Sequence, residues 1–396
     1  MLRWIAQTLA VTALSVRTIP ERLASSVVAM VGIAGVVIVF VAVLSIGEGF
    51  RAAMTTAGAP DRVLVMRSGA DSEMTSGIGG PEADLIKQAP GLLRDGNRPI
   101  ASAELYVLVD LNKRSTRTPA NVPLRGIEPA ALQVRDDDIK IVEGRMFAFG
   151  TNEAIVGRAS NRQFSVDLGS EVRSGELTLK VVGIFTADGS VAESEIWADG
   201  RLLQGVYRRG NSYQLVLARL DSPASFDNFK NWLTTNPQLN VQVRHESEYY
   251  AAQSTTMTSL IQGVGYTIAA LMGIGAVFGA ILTMYTAVAS RTREIATLRA
   301  LGFNTTSVLV SVLTESLALA AIGGLAGGTL AYFAFNGYQT STMNFQTFSQ
   351  VAFAFAVTPA LLLQGLSYAL MMGLVGGLLP AVRAARLPIS AALREL

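Results

Sequence analysis

Three long stretches of this chain carry no charged residue, and they constrain its fold more than any other feature. They cover residues 23–47, 249–290 and 316–382. A bilayer core requires about 20 apolar residues for each crossing helix, so the first two stretches hold one span each and the third holds two. Lipid offers the backbone no hydrogen-bond partner, so each span must be helical. The sequence therefore predicts an α-helical membrane protein with four transmembrane helices and an inserted mixed α/β extracytoplasmic domain.

The basic residues outside segment 48–248 all fall on one side of this arrangement. These nine residues are Arg3, Arg17, Arg22, Arg291, Arg293, Arg299, Arg383, Arg386 and Arg394. Cytoplasmic loops carry an excess of Lys and Arg, so we expect both termini and the 291–303 loop in the cytoplasm and the large segment outside. That segment contains 26 acidic and 23 basic residues, a net charge of −3. Such a balance disfavours binding to nucleic acid.

These patterns divide the chain into nine segments. They are a cytoplasmic amphipathic N-terminal helix (1–22), transmembrane helix 1 (23–47), the extracytoplasmic domain (48–248) with a middle lobe at about 112–190, a stalk plus transmembrane helix 2 (249–290), a cytoplasmic helix (291–303), transmembrane helix 3 (304–335), a short outer hairpin (336–352), transmembrane helix 4 (353–382) and a cytoplasmic tail (383–396). Within the domain, 61–66, 103–109, 177–185 and 212–217 have strand composition, whereas 81–88 and 222–233 have helix caps. The first apolar run starts late and has full span length, which argues against a cleavable signal peptide.

The second charge-free run is longer than one crossing requires. Its 42 residues would extend about 63 Å as a helix, against roughly 30 Å of hydrocarbon. Its first part, 249–259, is polar. We predict a helix that leaves the membrane and continues outward as a stalk. A loop followed by an ordinary span is the alternative.

The sequence contains no recognisable catalytic constellation. The patterns GxxxxGK[ST], HExxH and GxSxG do not occur, and there is no cysteine, which excludes a P-loop and any thiolate chemistry. The single histidine, His245, is expected at the surface, and the acidic run Asp136–Asp138 is expected to be a solvated turn. We predict a non-catalytic chain with no metal site and no cofactor of its own.

Two features inside the spans are candidates for a specific role. Glu315 is the one charged residue within a span, and intramembrane carboxylates are often functional; an ion pair and a conformational role are both open. Small residues also recur at the GxxxG spacing that lets helices approach closely. These glycines are Gly275 with Gly279, Gly323 with Gly327, and Gly373 with Gly377. Contacts within the chain and contacts with a second copy are both compatible with this spacing.

The loop between spans 2 and 3 is the most informative stretch. Its apolar residues recur every third position, which predicts an apolar stripe on a short helix that ends at a glycine C-cap. The candidate residues are Arg291, Arg293, Glu294, Ile295, Leu298, Arg299, Leu301 and Gly302. A short amphipathic helix held between two spans either docks on a cytoplasmic protein or rests on lipid headgroups.

This loop also carries a resemblance to a known family. The run Arg291-Thr-Arg-Glu-Ile-Ala-Thr-Leu-Arg-Ala-Leu-Gly302 is similar to the signature loop of FtsX/MacB-type ABC transporter permeases, whose common form is RRREIGxLRALG. Glu315 matches the glutamate of their third span. Residues 380–387 and 392–394 resemble their C-terminal motif, although 388–392 lack its two acidic groups. The runs 124–127, 143–145, 153–156 and 181–185 resemble parts of the MacB-type periplasmic core domain.

The resemblance implies a permease subunit of the bacterial inner membrane that transmits ATPase motion to the periplasm. No ATPase domain accompanies it in this sequence, so ATP and Mg²⁺ are expected on a separate cytoplasmic ABC ATPase dimer, with the 291–302 candidates as the coupling helix. The other expected partners are a second permease copy or paralogue, the lipid bilayer, and a periplasmic adaptor with an outer-membrane channel.

Three functions share this implied architecture. MacB-like export is favoured because segment 48–248 has about 200 residues, whereas the FtsX type usually has a much smaller domain there. An FtsX-like signalling permease that regulates a cell-wall hydrolase and a lipoprotein-extracting permease are the alternatives.

Overall fold

The computed structural model describes residues 23–135 and 138–387. The predicted N-terminal helix (1–22), Asp136 and Asp137 of the acidic run, and residues 388–396 of the tail lie outside the described residues. The rest divides into two compact units. The membrane unit contains residues 23–48, 260–338 and 355–387, and the inserted unit contains 49–135, 138–259 and 339–354.

Ten α-helices and sixteen strands occur among the described residues. The helices are α1 (Leu23–Thr55), α2 (Gly80–Ile86), α3 (Ala130–Val134), α4 (Arg158–Gln163), α5 (Gly200–Val206), α6 (Phe226–Thr235), α7 (Glu246–Ser290), α8 (Thr292–Ala300), α9 (Thr305–Phe335) and α10 (Pro359–Ala385). The strands are β1 (Arg62–Arg67), β2 (Ile78–Gly79), β3 (Arg94–Asp95), β4 (Arg98–Pro99), β5 (Ala101–Asn112), β6 (Pro119–Ile127), β7 (Lys140–Gly144), β8 (Glu153–Gly157), β9 (Glu171–Ser174), β10 (Leu177–Thr186), β11 (Ile196–Asp199), β12 (Ser212–Tyr213), β13 (Leu215–Arg219), β14 (Val241–His245), β15 (Gln339–Asn344) and β16 (Ser349–Ala354).

Four helices in the described part of the chain, α1, α7, α9 and α10, are long and apolar enough to cross a membrane. Together with the mixed sheet of the inserted unit, they confirm the predicted fold class. Helix α1 continues to Thr55, past the charged Glu48 and Arg51 where the predicted span ended. Charge ends a hydrophobic segment but not a helix, because helical hydrogen bonds connect only neighbouring turns. Helix α7 runs without interruption from Glu246, and its polar first turns belong to the inserted unit.

The connection between α9 and α10 is an antiparallel hairpin of β15 and β16. It ends at Ala354, beyond the predicted 352, and α10 begins at Pro359 rather than at 353. The buried apolar residues of β16, such as Phe353, cannot be distinguished by composition from the start of a span. Helix α10 starts where the Thr358 side chain accepts a hydrogen bond from Leu361 N and a proline follows, as in many helix N-termini.

This hairpin is part of the inserted unit. Its hydrogen bonds run from Tyr106 OH to Ser349 Oγ (3.2 Å), from Asn121 Nδ2 to the Phe348 carbonyl (2.9 Å) and from Ala352 N to Ser194 Oγ (2.9 Å). A segment that the sequence places between two membrane helices therefore folds with the domain inserted elsewhere in the chain.

Ten strands of the inserted unit form one mixed sheet in the order β14-β1-β13-β5-β6-β11-β8-β10-β7, with β9 beside β10. The pairs β6–β11 and β8–β10 are parallel, and the others are antiparallel. The predicted strands at 61–66, 103–109 and 177–185 are confirmed in β1, β5 and β10. The predicted strand at 212–217 is divided at Gln214, whose N–H donates to Glu104 O and whose side chain accepts a hydrogen bond from Tyr106 N. The middle lobe at about 112–190 stays a prediction.

Three apolar clusters hold this sheet. One joins β1, β13 and β14 to helices α2 and α6 and includes Val65, Val216 and Phe229. A second lies along β5, β6, β8, β10 and β11 and includes Leu124 and Ile196. The third includes Ile155, Phe185 and Trp197. Burial of these side chains stabilises the unit by about 1.5–3 kcal/mol each, so it needs no disulfide.

A buried ionic network centres on Arg125 of β6 and lies against the third cluster, where the guanidinium of Arg135 is 5.1 Å from the centroid of the Trp197 ring. Its guanidinium makes two 2.7 Å bonds to Glu195, one from Nε and one from Nη2. Nη1 lies 3.0 Å from Glu104 and 2.8 Å from Glu73. Glu104 also accepts two bonds from Arg135, at 2.6 and 2.9 Å. All five side chains are less than 10% exposed, so three carboxylates share two guanidiniums in a dry interior.

The surplus carboxylate of this network is Glu73. Burial raises its pKa to about 7, and the attraction of Arg125 offsets this only in part. Burial alone would also raise the pKa of Glu104, but Arg135 and then Arg125 lower it below its usual range. Because unbalanced buried charge is costly, a neutral Glu73 lets the network balance its charges.

The first prediction concerns this proton. Folding raises the pKa of Glu73, so its stabilising contribution is complete below about pH 4.5 and is lost as pH rises through about 7. The change amounts to about 3 kcal/mol. Glu73→Gln should remove this part of the pH dependence and unfold at a higher temperature than wild type at pH 8. Thermal unfolding of the full chain in detergent between pH 5 and 8 measures it.

The matched control is Glu171→Gln, which alters an exposed carboxylate of the same unit. It should keep the wild-type pH dependence. A Glu73→Gln curve parallel to wild type across this range would refute the assignment of the proton to Glu73.

Candidate functional site

The loop singled out by its sequence forms helix α8, and both ends of α8 are fixed by local hydrogen bonds. At its C-terminus Gly302 has φ +91°, and its N–H donates to Arg299 O at 3.1 Å. The N–H of Phe303 donates to Leu298 O at 3.2 Å. These two bonds form a Schellman motif, which requires the left-handed conformation that glycine adopts without strain. The Asn304 side chain then caps α9. The turn between the two helices is therefore short and fixed by hydrogen bonds.

One face of α8 packs into the membrane unit. Ile295 and Ala296 are buried, and Ile295 belongs to an apolar cluster with Val288, Val308 and Ala384 from α7, α9 and α10. Arg299, at the other end of α8, donates from Nη1 to the Leu387 carbonyl just beyond α10. Helix α8 is therefore held by three membrane helices and cannot turn freely.

The predicted apolar stripe of α8 does not lie on one face. Ile295 is buried, Leu298 is half-buried, and Leu301 is 73% exposed. At about 100° per residue, Leu301 is rotated roughly 120° away from Ile295 around the helix axis, and it lies past the last helical turn. The prediction of a single apolar stripe is therefore wrong, because its three residues lie in three different environments.

The opposite face of α8 is open. Arg293, Glu294, Thr297 and Ala300 are exposed, and Leu301 adds a large apolar side chain at the C-terminal end. This open face combines charges of both signs with an unpacked leucine. Such a mixture is typical of a rim and anchor in a protein interface.

Arg291 is separated from the other candidate residues because it turns inward. Its Nη1 donates to Glu315 Oε2 at 3.0 Å, and both side chains are less than 10% exposed. Glu315 lies in the third turn of α9, so the pair connects the start of α8 to a membrane helix. The carboxyl group in the span therefore has a basic partner within the chain. Such a partner lowers the high cost of a charge in hydrocarbon.

The predicted packing glycines fall into two groups. A side chain at Gly323 or Gly327 would lie 2.8 Å from Met30 O or 2.6 Å from Ala34 O of α1. A side chain at Gly373 or Gly377 would lie equally close to α9, 2.5 Å from Ala320 Cβ or 2.6 Å from Ser316 Cβ. Gly275 and Gly279, in contrast, have no such neighbour within 4 Å among the described residues.

Two other candidate residues have structural partners. His245 stacks on Phe226 with ring centroids 3.9 Å apart, and Asp138 pairs with Arg62.

The residues that sequence reasoning missed are those of the Arg125 network. The available signal was an arginine within the otherwise apolar end of β6, and a buried arginine requires carboxylate partners.

Comparison with known proteins matches two parts of the chain to described families. Residues 26–236 match the family model of the MacB-like periplasmic core domain. Residues 266–389 match that of the FtsX-like permease C-terminal region. Together the two matches confirm the resemblance first seen in the 291–302 loop.

Individual relatives agree with the family models. The macrolide export ATP-binding/permease protein MacB of Bradyrhizobium diazoefficiens is 26% identical over 70% of this chain and 44% of its own length. The pyoverdine export ATP-binding/permease protein PvdT of Pseudomonas entomophila is 27% identical over 64% of this chain and 40% of its own. The chain thus spans less than half of these relatives.

A solved structure is similar to part of the chain. The periplasmic region of MacB from Actinobacillus actinomycetemcomitans is 10% identical, covers 49% of this chain and 93% of that chain, and has a TM-score of 0.37.

The second prediction tests the Arg291–Glu315 pair. Glu315→Leu leaves the arginine charge buried without its carboxylate and should destabilise the membrane unit by about 3–5 kcal/mol. The double variant Arg291→Met with Glu315→Leu removes both charges and should recover most of that loss. Unfolding of the purified chain in mixed detergent micelles measures both values.

The exposed Arg293→Met is the control and should behave as wild type. A double variant no more stable than Glu315→Leu would show that the two charges are not coupled.

Proposed function

We propose, from the premise that the chain belongs to the family of MacB- and FtsX-type ABC transporter permeases, that it is the non-catalytic membrane subunit of an ATP-driven exporter. ATP and Mg²⁺ bind to a separate cytoplasmic ATPase, and the open face of α8 is its docking surface. The chain transmits the motion of that ATPase to its periplasmic domain.

The exposure of Leu301 at the end of a fixed helix is the observation that carries this proposal. The Leu301 side chain is 73% exposed and lies beside charges of both signs. Its transfer from water into an apolar groove of a partner protein would be favourable. The Schellman motif and the Arg291–Glu315 pair make α8 rigid, so a force applied to its open face reaches α7, α9 and α10. A headgroup-resting helix, the other interpretation of this loop, would need no such rigid connection.

Helix α7 supplies a route for the outward transmission. It is a single helix of 45 residues, and a helix resists bending because each turn bonds to the next. A displacement at its cytoplasmic end therefore reaches the residues before Leu260 that belong to the inserted unit. Substrate handled by that unit would not need to pass between the spans.

Export is favoured because relatives of the chain are named for the export of macrolides and of pyoverdine. We propose a complex of two permease chains with two ATPases, joined to a periplasmic adaptor and an outer-membrane channel. In this arrangement α8 faces the cytoplasm and the inserted unit faces the periplasm, as the arginine distribution predicts.

The third prediction concerns this orientation. The chain has no cysteine, so single cysteines report without background. Ser115→Cys in the inserted unit should react with a membrane-impermeant thiol reagent added to spheroplasts, and Ser290→Cys should react only after lysis. Both positions are exposed in their units. The reverse labelling pattern would overturn the orientation.

The fourth prediction tests the docking surface. Leu301→Asp puts a charge at the proposed apolar anchor. It should lower both the copurification of the ATPase and the stimulated ATP turnover by at least about tenfold, because anchor residues contribute most of the binding energy of an interface. The tagged chain is purified with its ATPase, and ATP hydrolysis is compared with that of the free ATPase.

The control is Thr306→Glu, which adds an exposed negative charge on the same side of the membrane but outside α8. It should assemble and stimulate normally. A Leu301→Asp chain that inserts in the membrane and stimulates the ATPase like wild type would exclude α8 as the coupling element.

A further inference from the structure

The turn at 72–75, in the loop after β1, is attached to the rest of the inserted unit by one residue. Met74 and Thr75 are exposed, whereas the neighbouring Glu73 is only 2% exposed. The hydrogen bonds of Ser72 and Thr75 stay within the turn. Among the described residues, the hydrogen bonds and ion pairs that join 72–75 to other elements all belong to Glu73. The position of the turn therefore depends on this residue.

Glu73 contacts two different elements at once. Its N–H donates to the hydroxyl of Tyr249 on α7 at 3.0 Å. Its carboxyl group lies 2.8 Å from Nη1 of Arg125 on β6. Because the N–H and the carboxyl group belong to the same residue, a movement that takes the carboxyl group out of the sheet also takes the N–H away from α7.

The carboxyl group of Glu73 has fewer hydrogen-bond donors than the other carboxyl groups of the ionic network. Glu195 accepts three hydrogen bonds, two from Arg125 and one of 2.7 Å from Trp197 Nε1. Glu104 accepts three from two arginines. Glu73 accepts one, of 3.3 Å, and its Oε2 makes no hydrogen bond. Hydrogen bonds stabilise the charged form of a carboxyl group, so Glu73 is the member that most easily holds a proton.

The charged and titratable groups around Glu73 come from four segments. They are Arg125 of β6, Glu104 and Tyr106 of β5, Glu195 before β11, and Tyr249 and Tyr250 of α7. Burial raises the pKa of all three tyrosines above the ordinary value, so they stay neutral. An ionised Glu73 is therefore repelled by two carboxylates, and the arginine that attracts it is shared with both of them.

Glycines on both sides of the turn leave it free to move. Gly69 has φ +80°, and a side chain at Gly69 or at Gly77 would meet no atom within 4 Å. Glycine rotates about its backbone bonds with little steric cost. The turn can therefore leave the sheet without displacing β1 before it or β2 after it.

We propose that the 72–75 turn is a proton-controlled latch on the first turns of α7. With a proton on Glu73 the network is balanced, the turn stays docked, and Tyr249 keeps its hydrogen bond. Loss of the proton leaves three carboxylates with two guanidiniums, so the Glu73 side chain moves out to water and its N–H leaves Tyr249. Helix α7 remains attached through Glu246, which lies 3.1 Å from Arg62. The latch lies within the inserted unit and operates whether or not an ATPase binds to α8.

Spin labelling of the full chain in lipid nanodiscs tests the latch. The chain has no cysteine, so a nitroxide on Met74→Cys reports on the turn alone. The ratio of mobile to immobile spectral components should rise at least about tenfold between pH 5.5 and pH 8, because a solvated carboxyl group has a lower pKa than the buried one and proton loss favours release. An equal ratio at both pH values would overturn the proposal.

A nitroxide on Ser115→Cys, at an exposed position elsewhere in the same unit, is the control for folding. Its spectrum should be the same at both pH values. A parallel change at this position would show general loosening of the unit instead of release of the turn, and would equally refute the latch.

Two variants of the labelled chain separate the proton from the contact with α7. Glu73→Gln cannot ionise and should keep the turn docked at both pH values, whereas the exposed Glu171→Gln should retain the wild-type change. Tyr249→Phe removes one hydrogen bond without altering charge and should raise the mobile component at pH 5.5 by about two- to tenfold.

A Glu73→Gln spectrum that still changes with pH would refute the role of the proton. A Tyr249→Phe spectrum identical to wild type at pH 5.5 would refute the contact with α7. Should Glu73→Gln fail to fold, Tyr249→Phe and the wild-type titration decide the proposal together.

Discussion

Hydrocarbon provides no hydrogen-bond partner for a peptide group, and the arrangement of the membrane unit depends on this constraint. Each span must satisfy its backbone within one helix, so α1, α7, α9 and α10 meet through side-chain packing, through side-chain hydrogen bonds to carbonyls of a neighbouring helix, and by close approach at glycine. Where helices come closest, glycine replaces larger residues: Gly323 and Gly327 lie against α1, and Gly373 and Gly377 against α9. The same medium makes an isolated charge costly, which is why Glu315 occurs with Arg291. That ion pair in turn fixes the start of the helix we propose as the ATPase contact.

The inserted unit solves a related problem in a different way. Its sheet buries arginines and glutamates together, and the Arg125 network leaves one carboxylate more than its two guanidiniums can balance. Burial raises the pKa of Glu73, so a proton on this carboxyl can remove the excess, and we expect the stability of the unit to depend on the pH of its compartment. The Tyr249 hydroxyl on α7 accepts the Glu73 N–H, so the network connects the sheet to the long helix.

Sequence reasoning succeeded where the signal was local. The charge-free runs predicted four spans, the excess length of the second predicted the continuous α7, and Gly302 predicted the end of α8. It was less accurate where the same composition or spacing fits two different structures. The last two residues of the strand β16, Phe353 and Ala354, were assigned to the start of a span. The three-residue spacing in α8 was taken as one stripe although Leu301 faces away from Ile295. The resemblance, not the periodicity, identified α8 as a candidate coupling element.

The sequence by itself determined which segments enter the membrane, because hydrophobicity over about 20 residues is a property of consecutive residues. It also determined the charge distribution from which orientation is predicted. Only the tertiary structure decided which charges meet. Arg125 contacts carboxylates 21, 52 and 70 residues away, and Gln253 meets a hairpin 91 residues away. Such contacts depend on strand order and helix packing, which no local pattern encodes. For that reason the ionic network and the contact of Gln253 with the hairpin emerge only from the folded chain.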